Sequence, residues 1–108
     1  MKYLLLLSFF ALNTSTETQQ QRYCSLHGSV YIAKDRAQAD FIVYEDTEAF
    51  ADFLVYEEEN RLYATEEGIW FFVENRGLAD FSVYFTDSKS QAHFTMALTD
   101  SPTFAGCD

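Results

Sequence analysis

The hexapeptide Ala-Asp-Phe-x-Val-Tyr occurs three times in a chain of 108 residues, at 39–44, 51–56 and 79–84. Side chains alternate faces along an extended strand, so each copy places Ala, Phe and Val on one face and Asp, the variable residue and Tyr on the other. Ala39, Phe41 and Val43, then Ala51, Phe53 and Val55, then Ala79, Phe81 and Val83 form three copies of one apolar ridge. A helix would scatter these residues around its circumference. Their β-branched and aromatic content suits a pleated surface.

Two weaker copies follow the same template. Residues 91–96 keep Ala92 and Phe94 and set His93 where the others have Asp. Residues 69–73 keep Phe71 and Val73 and set Trp70 in the Asp position. Ser29–Ala33 and Arg61–Ala64 read as further strands, and the acidic stretches 45–48 and 57–60 read as turns. Strand starts at Ala39, Ala51, Ile69, Ala79 and Ala92 advance by 12, 18, 10 and 13 residues, which is no strict solenoid period. The fold class expected is all-β: one small, compact domain of short repeated strands. Of eleven Phe, seven Tyr and one Trp, all but two Phe and one Tyr lie beyond residue 20 and supply large buried area to a domain too small to be stable without it. The variable slot holds Ile42, Leu54, Ser82 and Thr95 in turn, which predicts that the first two copies are covered on both faces and the later two less so. Ala beside Asp suggests a repeated crossing, a small residue admitting a neighbouring backbone and a carboxylate accepting its loose N–H groups.

The chain starts Met1-Lys2 and continues with a Leu- and Phe-rich run to Leu12. A basic start followed by a short apolar run is the pattern of an export signal. The run falls short of the roughly 20 residues a membrane helix needs. Residues 1–20 are therefore read as a removed signal and 21–108 as the domain, periplasmic or extracellular. Loss of Lys2 and Glu17 leaves the net charge of −10 unchanged. Such acidity repels phosphate backbones and anionic bilayers, so neither nucleic acid nor membrane is an expected partner. Cys24 and Cys107 stand at opposite ends of the domain and are read either as a bridge, which persists in an oxidising compartment, or as thiols that are free or paired between molecules.

The chemical candidates are few. Asp40, Asp52 and Asp80 read as backbone caps, with a hard-cation site as the competing use. Tyr44, Tyr56 and Tyr84 share the face of these aspartates and outline a surface for a glycan or a peptide. The acidic turns would suit a basic partner or calcium, or lie solvated. Cys24 and His27 are three residues apart, the spacing on which a thiol hydrolase would have to rest, and a disulfide competes with it. No nucleophile elbow, zinc-protease or phosphate-loop pattern occurs. No catalytic residue, metal ligand or cofactor is assigned. The expectation is a non-enzymatic structural or interaction module whose partner is a protein or a glycan.

The repeated Ala-Asp-Phe-x-Val-Tyr, the Gly-Ile-Trp-Phe-Phe-Val stretch at 68–73 and the closing Ala105-Gly106 together resemble the septoil knot domain family, small exported bacterial domains. The resemblance runs from Val30 to Gly106 and implies a compact β-rich fold whose backbone forms a seven-crossing torus knot. General folding rules would not suggest a knot. Two departures stand out: the copy at 92–97 lacks the Asp, Val and Tyr, and Cys107 stands where the family closes on an aromatic residue. The resemblance thus implies a last crossing held by a Cys24–Cys107 bridge in place of aromatic packing.

Overall fold

A computed structural model describes residues 19–107. The export-signal reading lies outside these residues, apart from Gln19 and Gln20, which start helix α1 (Gln19–Cys24). Seven strands follow: β1 (Gly28–Ile32), β2 (Phe41–Glu45), β3 (Phe53–Glu57), β4 (Ile69–Val73), β5 (Phe81–Phe85), β6 (Phe94–Leu98) and β7 (Gly106–Cys107). The first six are mutually parallel and close into a barrel in the order β4-β1-β5-β2-β6-β3, with β3 pairing back onto β4. Closure removes the exposed edges that an open sheet would have to protect.

Every step along the chain skips one lane of this barrel except the step from β3 to β4, which are neighbours. The first circuit lays down β1, β2 and β3 with gaps between them. The single short step shifts the second circuit by one lane, so β5 and β6 drop into the gaps. Strand β7 arrives antiparallel to β3 at Phe53 and Leu54, below the point where β4 pairs with Tyr56 and Glu57. Pairings are consequently remote in sequence, as with Val30 opposite Phe81 and Phe53 opposite Met96.

The barrel is filled in three tiers. At the strand amino ends stand Phe41, Phe53, Trp70, Phe81 and Phe94; in the middle stand Val30, Val43, Val55, Val83 and Met96. The rings cross edge-to-face, with centroids 5.3 Å apart for Trp70–Phe81 and 5.8 Å for Phe53–Phe94. Burying each side chain contributes roughly 1.5–3 kcal/mol. The third tier, at the carboxyl ends, is Ile32, Glu45, Glu57, Phe72, Phe85 and Leu98, and it is open to solvent.

Several expectations need correction. The strands begin at Phe, so Ala39, Ala51, Ala79 and Ala92 and the Asp or His after them precede the ladder. Ala39, Ala79 and Ala92 close short 3₁₀ turns, Arg36–Gln38, Arg76–Leu78 and Lys89–Gln91. Arg61–Tyr63, expected as strand, is another such turn. In β4 the template is misaligned by one residue: Gly28 pairs with Trp70 and Val30 with Phe72, so Trp70 and Phe72 face the core while Phe71 and Val73 face outward. A one-residue slip inverts every side chain of a strand, and the largest ring takes the interior. One close backbone crossing is made by a glycine. At Gly68, φ is 79° and an added Cβ would collide with Gly106 N and Leu54 O.

Candidate functional site

The three aspartates act as clasps between strands. Asp80, entering β5, accepts from Ser29 N of β1 at 2.8 Å; Asp40, entering β2, accepts from Ser82 N of β5 at 2.9 Å; Asp52, entering β3, accepts from Thr95 N of β6 at 3.2 Å. The bonds are reciprocated. Asp52 N donates to Thr95 Oγ1 at 2.8 Å, and Asp40 N to Ser82 Oγ at 3.1 Å. Each clasp ties the start of one strand to a neighbour in the barrel that is far away in sequence. His93, entering β6, does the same with a different atom: its Nδ1 accepts from Ile42 N at 3.0 Å and its own N–H donates to Ile42 O at 2.6 Å. The Asp position thus specifies an acceptor, and an unprotonated imidazole nitrogen satisfies it.

This reverses one expectation about the outer face. Ser82 and Thr95 are the buried members of the variable slot, 2% and 6% exposed, while Ile42 and Leu54 are half-buried. The two hydroxyls are covered because they complete the clasps. Tyr44, Tyr56 and Tyr84 are half-buried on the outer surface of β2, β3 and β5. They stand beside Thr95, Ile69 and Ile42 respectively, with β6 between β2 and β3, and the Arg36 guanidinium lies 5.8 Å from the Tyr84 ring centroid. The carboxylates of that face are engaged by backbone N–H groups.

The two ends of the barrel differ. At the amino end Tyr23 is buried over the opening, stacked on Phe94 at 4.3 Å and edge-on to Phe53 at 6.1 Å. Burial, and secondarily the Asp52 carboxylate, push its phenol above the ordinary tyrosine range. Beside it Cys24 and Cys107 form a disulfide with Cα atoms 5.5 Å apart, and Leu26 O accepts from both Trp70 Nε1 at 3.1 Å and Gly68 N at 2.9 Å. The bridge consumes the thiol a Cys24–His27 nucleophile would need, and His27 Nδ1 instead contacts Ser25 O at 3.0 Å.

At the carboxyl end the barrel is open. A cavity of about 340 Å³ is walled by Ile32, Phe72, Phe85, Met96 and Leu98, with Glu45 and Glu57 among them. Glu45 is in register with buried Met96, and Glu57 with buried Trp70, which aims both side chains at the barrel axis. The sequence reading sets both glutamates in acidic turns, solvated or facing calcium or a basic partner; they are exposed, but they close strands β2 and β3. The signal that would have found them is the periodicity itself: in Phe-x-Val-x-Glu the acid keeps the parity of the core residues. Among the described residues no group of three or more His, Cys, Asp and Glu could hold a metal ion.

A family model for the 7(1) septoil knot domain matches residues 23–108. No curated protein and no solved structure matches the chain.

Proposed function

The chain belongs to the septoil knot domain family, and from that premise we propose that it is an exported, non-enzymatic structural or interaction module on a knotted, kinetically stable scaffold. The observation that carries this reading is the double winding of the chain, fastened at its ends. Two circuits of the same barrel interleave, and a disulfide joins residues 83 positions apart at the end where the second circuit finishes. A chain threaded twice around one core cannot leave it by fraying one strand at a time, because each strand is flanked by two from the other circuit or its junction. Unfolding must therefore lose many pairings before any segment is free, which raises the barrier and lengthens the native half-life. Such persistence suits a compartment where lost protein is not refolded, and a disulfide belongs to an oxidising one.

The test is the unfolding rate of the mature, oxidised protein in guanidinium, with amino-terminal sequencing of material recovered from the cell exterior or periplasm. Unfolding over hours and a mature start near residue 21 are expected. Unfolding within seconds at moderate denaturant would remove the scaffold reading, and retention of residues 1–20 on protein inside the cell would remove the export reading.

A further inference from the structure

We propose that the open carboxyl end of the barrel is a binding cup for an arginine or lysine side chain presented by a basic, apolar partner polypeptide. This deepens the interaction-module reading and rests on it for its biological setting. The cup stands on three observations. Its wall is apolar and partly aromatic, and Ile32 and Leu98 at its mouth are about half exposed, 46% and 45%. In the ring of strands Glu57, Leu98 and Glu45 follow one another on β3, β6 and β2, so two carboxylates flank one aliphatic side chain on one wall, while the opposite wall carries Phe72, Ile32 and Phe85. Neither glutamate has a cationic partner: among the described residues the only ion pair is Lys89–Asp46. The cup itself holds no basic side chain.

A long side chain with an apolar stem and a cationic head matches this division. The stem lies against Leu98 and Ile32, the head reaches the two carboxylates, and Phe72 and Phe85 line the facing wall. A planar guanidinium is the better occupant, because it stacks on rings and donates to two acceptors at once. The chain's net charge of −10 favours a basic polypeptide over a neutral one as the bearer of that side chain. The volume, about 340 Å³, is at the lower end of known ligand pockets and accepts one side chain with its apolar neighbour.

The experiment is a titration of the mature oxidised protein with a terminally blocked Leu-Arg-Leu peptide, followed by amide and methyl NMR. The comparison ligands are the same peptide with citrulline for arginine, and butylguanidinium alone. The proposal expects saturable shifts at Ile32, Glu45, Glu57 and Leu98, and affinity at least about tenfold weaker for the citrulline peptide and for the Glu45→Gln/Glu57→Gln variant. A Glu48→Gln/Glu59→Gln variant removes the same charge from exposed positions outside the cup and should bind as the parent does. Equal binding of the citrulline peptide, equal loss in the outer variant, or shifts confined to other surfaces would overturn the cup. Butylguanidinium binding as tightly as the peptide would overturn the polypeptide occupant. Each of these results leaves the slow-unfolding test untouched, so failure of the cup and failure of the scaffold are separable.

Discussion

The two ends of the barrel are built from the same repeat and finished in opposite ways. The amino end collects the first residue of four strands, all Phe, adds Trp70 from a fifth, and is capped by Tyr23 and the Cys24–Cys107 bridge. The carboxyl end collects the last residues, and there the repeat turns from aromatic to acidic at Glu45 and Glu57, with nothing laid over it among the described residues. Ring packing and acidic charge are thereby segregated along one axis. A buried tier of rings tolerates no charge, whereas the same axis four residues further on along β2 and β3 meets water and can hold a carboxylate at little cost.

This contrast orders the expected effects. Phe53→Ala empties the closed end and should cost about 3–5 kcal/mol in equilibrium denaturation, the largest loss of the set; a loss below about 1 kcal/mol would mean the tier is not the core. Replacing both cysteines by serine should cost about 2–5 kcal/mol, read as a shift in denaturation midpoint together with faster unfolding. The clasps come next. Asp80→Ala leaves Ser29 N–H without its acceptor and should cost roughly 1–3 kcal/mol, while Asp80→Asn, which keeps an oxygen, should recover most of it.

The alkaline pH dependence belongs to the closed end, whereas Asp46, just past the open end of β2, is held below the usual carboxylate range by the Thr47 N–H and Lys89. Tyr23 holds its proton more tightly in the folded state than in the unfolded chain, so this contribution is fully present below the unfolded tyrosine range near pH 10 and is lost as pH rises through the higher folded value. Tyr23→Phe should flatten the alkaline slope of stability, checked by denaturation between about pH 8 and 11. At the open end, Glu45→Gln with Glu57→Gln should move stability by less than about 0.5 kcal/mol, the smallest change. A large change there would show that the cup is a structural element and that the division between the ends does not hold.

Some of this was legible in the residues. Phe41, Phe53, Phe81 and Phe94, with Val43, Val55 and Val83, follow from period-two alternation and do face the core or pack on it. The alanines were misplaced because a turn and a strand were read as one unit. The cue at two of them is a capping residue four positions earlier, Asp35 before Ala39 and Asn75 before Ala79, as also Asn60 before Ala64 and Ser101 before Ala105, whose side chain accepts a backbone N–H in the 3₁₀ turn; Ser88 before Ala92 makes no such bond. β4 was misaligned because its run of apolar residues carries no alternation to set the parity.

What the linear sequence determined is the unit: a capped turn, an acceptor, and a strand with one apolar face, all set by local geometry and by residues within a few positions of one another. Which units lie side by side was decided only in three dimensions. Parallel lanes, the single short step between β3 and β4, the clasp partners and the open acidic mouth depend on contacts between residues some forty to fifty positions apart, such as Asp40 with Ser82 and Ser29 with Asp80. Identical strands are interchangeable to local forces. Their order is selected by closure of the barrel, where every backbone group must find a partner at once.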